Sequence, residues 1–146
     1  MNEQPNKTRL DAQYRTLLIL WAGFLSTITI YLFLPFVIGR GEAVENRIVA
    51  TVLTTMAALL VLVSFLVKRR FFSRSVEAQD VRHVNTGFII AAALCEAAAM
   101  FGLLDFLVAH DRYYFLPIGF SFIGLLLHFP RRKDLEAASY KRISLT

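Results

Sequence analysis

The chain has 146 residues, of which 56% are hydrophobic and 18% charged, with 13 Phe and a formal net charge of +5. That is one domain's length of chain in a composition too apolar for a soluble domain. The positive charge would point to nucleic acid in a soluble chain. Here it is confined to segments between long apolar runs, and no nucleic-acid partner is expected.

Apolar runs occupy residues 16–39, 48–67, 87–109 and 113–129. A helix rises about 1.5 Å per residue, so roughly 20 residues cross a ~30 Å hydrocarbon core. The first three runs are long enough, while the fourth has only 17 residues and needs its flanking aromatics. Barrel strands would be about 10 residues long and alternating, which these runs are not. The expectation is an all-α fold, a four-helix transmembrane bundle forming a single domain over 1–146, with tails 1–15 and 131–146. With both termini inside, 13 Lys and Arg residues face the cytoplasm and 3 face outward. Basic segments resist translocation and the cytoplasmic leaflet is anionic, so this orientation is the expected one. The reading is a multi-pass protein of the cell's inner (plasma) membrane with both termini cytoplasmic.

In chain order, Thr8-Arg9-Leu10-Asp11 has the form of a capping box, and Asp11 and Arg15 stand four apart. The first helix is therefore expected to begin near Arg9. Its apolar run exceeds the ~7–15 residues of a signal-peptide core and no A-x-A site follows, so it reads as a permanent anchor. Tyr14 and Trp21 are placed at the inner interface, with Tyr31, Phe33 and Phe36 toward the outer one. Pro35 can kink the last turn, and Gly39-Arg40-Gly41 ends it. The second run is rich in Leu and Val. Its polar groups Thr51, Thr54, Thr55 and Ser64 can bond back to their own helix carbonyls, and the helix reads as structural. Residues 68–83 are expected to form a cytoplasmic loop. In it Phe71 and Phe72 dip into the headgroups, while Arg69, Arg70 and Arg74 meet lipid phosphates. Ser75 is placed as the N-cap of a third helix of more than 30 residues. A three-residue turn, 110–112, makes the third and fourth helices a tight hairpin. Tyr113-Tyr114-Phe115 opens the fourth as an aromatic belt. Pro130 stops it, and Arg131 and Arg132 anchor it at the headgroups. The tail is expected either to form a short basic amphipathic turn or to stay disordered.

The third run carries the chemistry. Glu96 lies near its middle, where an ionised carboxylate costs several kcal/mol, so it is expected to be protonated unless a cation partners it. Asp105 is nine residues on, about 13 Å along the axis and on the opposite side. The two are therefore no catalytic pair, and Asp105 is expected to reach the outer headgroups near His110 or Arg112. Both remain candidates for handling protons or ions. Ala91, Cys95, Ala98 and Gly102 form a small-residue stripe suited to close helix packing, with Asp105 at its end. Glu96 lies nearly opposite, flanked by Ala92 and Ala99. Both faces are satisfied inside the bundle only if this helix is central; otherwise the Glu96 face meets another protein. The local alternative is a protonated Glu96 bonded to a hydroxyl or carbonyl of a neighbouring helix. Cys95 is the only cysteine, so neither a disulfide framework nor a metal-spaced pair is present, and no metal or cofactor is expected. His83, His110 and His128 fall at membrane edges and read as interface anchors, with haem or chlorophyll ligation as the alternative. Neither a phosphate-binding loop nor a nucleophile triad is seen, so no catalysis is expected.

The run Phe88-Ile-Ile-Ala-Ala-Ala-Leu-Cys-Glu96-Ala-Ala-Ala-Met-Phe-Gly102-Leu-Leu resembles the carboxylate-bearing helix of the proteolipid c subunit of rotary ATP synthases. That helix shows an Ala-Ala-Leu-x-Glu-Ala pattern followed by Gly-Leu, and it also runs outward from a basic cytoplasmic loop. The resemblance covers residues 88–104 and implies that Glu96 takes up and releases a proton. Two functional readings stay open. One is a non-enzymatic scaffold or accessory subunit of a larger membrane assembly, using the third helix as its packing surface. The other is a proton- or ion-handling protein in which Glu96 works within a homo-oligomer.

Overall fold

The computed structural model describes residues 4–39, 46–78 and 81–139. Arg40, Gly41, Lys141 and Arg142 lie outside the described residues. The chain folds into helices α1 (Gln4–Ile38), α2 (Arg47–Ala78), α3 (Val81–Leu104), α4 (Phe115–Leu127) and α5 (Arg132–Ser139). A π-helical turn, Asp105–Ala109, continues α3. Among the described residues there is no strand. The molecule is an all-α helical bundle.

Three stretches, Leu10–Ile38, Arg47–Ser75 and Arg82–Ala109, are long and apolar enough to cross a bilayer. This is a membrane protein, and its apolar helices meet lipid. α4 is apolar but has 13 residues, a rise of about 20 Å, shorter than a hydrocarbon core.

Several boundaries differ from the sequence expectation, each for a local reason. α1 starts at Gln4, not near Arg9. Pro5 sits in its first turn, where a missing N–H is no loss, and the Thr8 box falls inside the helix. Gly39, at φ +74°, ends α1 in the left-handed conformation, its N–H donating to the Pro35 carbonyl at 3.1 Å. The expected loop 68–83 is mostly helix. From Lys68 to Ala78 no glycine or proline interrupts α2, which at 32 residues rises about 48 Å and outruns a bilayer. Ser75 is therefore not the cap of α3. It is buried inside α2, its hydroxyl donating to the Phe72 carbonyl at 2.7 Å. Phe71 lies against α3, so close that a Cβ on Gly87 would stand 2.5 Å from the Phe71 Cβ. α3 consequently has 24 residues rather than more than 30. Its connection to α4 runs over residues 110–114, longer than the three-residue turn expected. His110 adopts the left-handed conformation at φ 53°, and Pro117 falls in the first turn of α4.

α3 is the axis of the bundle. It touches α1, α2, α4 and α5, whereas α1 and α2 each pack on the α3–α4 pair and on α5 rather than substantially on each other. Ala91, Ala92, Cys95, Ala98 and Ala99 are fully buried. Gly102 explains the close approach of α4: a Cβ there would lie 2.5 Å from Ile118 Cγ1 and 3.0 Å from the Tyr114 carbonyl oxygen. In a bilayer, helices gain nothing from hiding apolar surface from lipid, so small residues that admit a neighbouring backbone decide which helix is central. α5 closes one end. Its Leu135 is buried against Leu17 and Phe88, and its Arg132 pairs with Asp11 of α1.

Candidate functional site

Two polar constellations lie within the spanning part of the bundle, on different sides of α3. The first surrounds Glu96. Its position on α3 turns it away from the buried Cys95–Gly102 stripe, and it is half-buried rather than enclosed. Tyr31 of α1 lies near it. Phe24, Leu25, Tyr31 and Leu32 of α1 pack partly buried against the core that contains Ala92 and Ala99, the residues flanking Glu96. A carboxyl at mid-span is thus left at the rim of the α1–α3 contact, partly open to the surroundings of the bundle.

Asp105 differs. It shares the small-residue stripe, and that stripe is the buried face of α3, so Asp105 is fully enclosed at the start of the π turn. The expectation that it reaches the outer headgroups is corrected by this burial. The next residue, Phe106, packs edge-on against Tyr114 at 5.0 Å between ring centres. The carbonyl of Ala109 accepts the N–H of Asn46 at 2.9 Å, which joins the C-terminal end of α3 to the start of α2. The Asn46 side chain in turn accepts the N–H of Val49 at 3.3 Å and caps α2.

The second constellation joins three helices. Ser64 of α2, Cys95 of α3 and His128 at the end of α4 are all fully buried. Ser64 Oγ stands 2.8 Å from His128 Nε2, 3.5 Å from Cys95 Sγ and 2.6 Å from the Val61 carbonyl. Nδ1 of His128 is enclosed without a hydrogen-bond partner. A proton on Nδ1 would be an unsatisfied donor, so the neutral tautomer protonated on Nε2 is the one that fits. The bonds then close. Nε2–H and the thiol donate to Ser64 Oγ, whose own proton goes to Val61, filling one donor and two acceptor places. The imidazole also packs on Phe65 at 4.4 Å, and its carbonyl accepts Lys68 Nζ at 3.4 Å. In this arrangement the histidine gives its proton to the serine rather than taking one. The trio therefore acts as a tie between α2, α3 and α4.

His128 is accordingly not an interface anchor, which corrects the reading made from its place at the end of a run. Ser64 bonds its own helix as expected, but its second partner was hidden, because His128 is 64 residues away in sequence. Trp21 is also a link between helices: its Nε1 donates to the Leu125 carbonyl at 3.0 Å and its ring meets Phe129 edge-on at 5.1 Å. The headgroup candidates Arg69, Arg70, Arg74 and Arg131 are all exposed, as is Arg132 beside Asp11. Among the described residues, no group of three or more His, Cys, Asp or Glu side chains could hold a metal.

No family model, curated protein or solved structure matches this chain.

Proposed function

We propose that this chain is a non-enzymatic subunit of a larger membrane assembly, a scaffold or accessory component that meets its partner through the α1–α3 face carrying Glu96. The observation behind the reading is that Glu96 is only half-buried at mid-span. A polar side chain partly open to hydrocarbon is costly, and intramembrane carboxyls face a bundle interior or a partner. A neighbouring membrane polypeptide covers it in this reading, either an unrelated subunit or a second copy. Four spans are proposed, with α4 completed by Tyr113 and Tyr114 before it and Phe129 after it. The exposed arginines of α2 and the 129–132 segment gather at one end with α5, which supports placing that end, and both termini, on the cytoplasmic side of the inner (plasma) membrane.

The test is native mass spectrometry after gentle extraction from the membrane, on the wild type, Glu96→Gln and Glu96→Leu. In this reading the wild type carries stoichiometric partner subunits. The Gln variant keeps them through its amide, and the Leu variant loses them. A wild type that is monomeric under the same conditions ends the proposal.

A second reading, proton handling by Glu96 in a homo-oligomer, draws on the resemblance of residues 88–104 and on the nearness of Tyr31 to Glu96. It requires that Glu96→Gln assemble normally yet abolish proton flux in liposomes followed with a pH-sensitive dye.

A further inference from the structure

Between α2 and α4, on the side away from Glu96, the bundle surface opens into an apolar groove of about 300 Å³. Its floor is made of Ala58, Val61 and Gly124, and its walls are Leu62, Ile123 and Leu127. Those three wall residues are more than half exposed, at 61%, 56% and 64%. Its small residues recede between large ones that stand proud. A partner helix, ~10–12 Å across with its side chains, needs small residues along the whole contact. The standing walls keep it out and admit a slimmer chain.

One end of the groove is charged. Phe65 lines it, and the next turn of the same helix stripe carries Lys68 and Arg69. Lys68 Nζ reaches the carbonyl of His128, the residue after the wall residue Leu127. Arg131 lies close enough to act electrostatically on Lys68, and so does Asp134, the acidic group at this end. Lys68, Arg131 and Asp134 line the adjoining crevice under α5 rather than the groove itself. With the exposed Arg69, the three cations outnumber the carboxylate among these described groups, so the mouth beyond Phe65 is positive. At the depth of the headgroups, that mouth complements a phosphate.

We propose that this groove seats one anionic phospholipid, an acyl chain lying along Ala58, Val61 and Gly124 and the headgroup phosphate held by Lys68, Arg69 and Arg131. The site is separate from the Glu96 face, and it stands whether or not that face has a partner.

The experiment is lipid binding to the detergent-purified full chain, read by native mass spectrometry. The probes are phosphatidylglycerol and phosphatidylcholine of the same acyl chains. The variants are Lys68→Gln with Arg69→Gln, which neutralises the mouth, and Ile123→Trp, which fills the groove from an exposed position. One basic residue near a headgroup is worth roughly fivefold in affinity, so the double variant should cut the preference for phosphatidylglycerol by about twenty-five-fold, toward parity. Ile123→Trp should weaken both lipids, with helix content by circular dichroism unchanged. Equal retention of the two lipids by the wild type overturns the proposal. So does undiminished binding to Ile123→Trp, or displacement of the bound lipid by glycerol phosphate alone, since neither result needs the groove. A membrane polypeptide retained in the groove in place of lipid overturns it as well.

Discussion

α1 and α3 are both long apolar helices with a glycine in the span, yet they occupy opposite positions in the bundle. Of the most apolar stretch of each, 44% is buried in α3 and 11% in α1. Hydrophobicity does not separate them, because lipid is as apolar as a protein interior and offers no gain for hiding a leucine. Side-chain size does. α3 presents Ala91, Cys95, Ala98 and Gly102 on one side and Ala92 and Ala99 on another, and neighbours close on both. α1 carries Ile19, Ile30, Phe33 and Phe36 outward, all well exposed. It adheres through a narrower face on which Trp21 reaches the end of α4.

The glycines give the sharpest way to break this comparison. A Cβ on Gly102 would meet Ile118 Cγ1 at 2.5 Å, the Tyr114 oxygen at 3.0 Å and the Ile118 nitrogen at 3.1 Å. Two of those three atoms are backbone and cannot rotate aside. Gly102→Ala should therefore cost about 1–3 kcal/mol, and Gly102→Leu should prevent recovery of folded protein, as judged by unfolding in mixed micelles. A Cβ on Gly23 of α1 meets nothing within 4 Å. Gly23→Ala should be neutral or stabilising by up to ~1 kcal/mol, since alanine loses less backbone entropy in a helix. Equal costs at the two positions would mean that α3 is not the axis.

The next effect belongs to the buried tie. His128→Ala removes a fully enclosed ring and leaves Ser64 and Cys95 without it. It should cost about 2–3 kcal/mol, the cavity outweighing the hydrogen bond. Ser64→Ala is milder, roughly 1–2 kcal/mol, because it strands the Nε2–H donor and the weakly donating thiol without opening a large cavity. The thiol adds a second readout. Cys95 is fully buried behind this tie, so a water-soluble maleimide should label it far faster in His128→Ala than in the wild type. Slow labelling of both would show that the α2–α3–α4 junction stays closed without the histidine.

How much of this was legible in the sequence follows from the range of each interaction. The spans were legible because charge is excluded from hydrocarbon over whole helical turns. The fold class needs nothing more. The stripe on α3 was legible as a stripe because helical spacing alone brings its members together. The α2 boundary was not. Ser75 reads equally well as a cap or as a mid-helix serine bonding back to its own carbonyl, and the unbroken Arg- and Glu-containing run around it favours the second. The Ser64–Cys95–His128 tie and the Trp21–Leu125 link were beyond reach, because each joins residues whose meeting depends on the packing of separate helices. Glu96 stood out as a deep carboxyl, but its half-buried setting came only with the placement of α1.

The smallest effect concerns the closed end of the bundle, and it asks what holds α5 there. Arg132 pairs with Asp11 of α1, but the two side chains are 55% and 46% exposed. An ion pair so open to water contributes at most about 0.2–1 kcal/mol and is screened by salt. Leu135 is 1% exposed and sits between Leu17 and Phe88. Burying such a side chain is worth ~1.5–3 kcal/mol where its alternative is water, as it is for a helix beyond the hydrocarbon. Arg132→Gln should therefore change stability by less than ~1 kcal/mol, with the difference vanishing at ~1 M salt, where the Debye length falls to about 3 Å. Leu135→Asp should release α5, which proteolysis at the exposed basic end would report. If Arg132→Gln released it as readily, the ion pair rather than the leucine would be its anchor. The contrast between a packed axis and loosely held outer elements would then extend to α5 as well as α1.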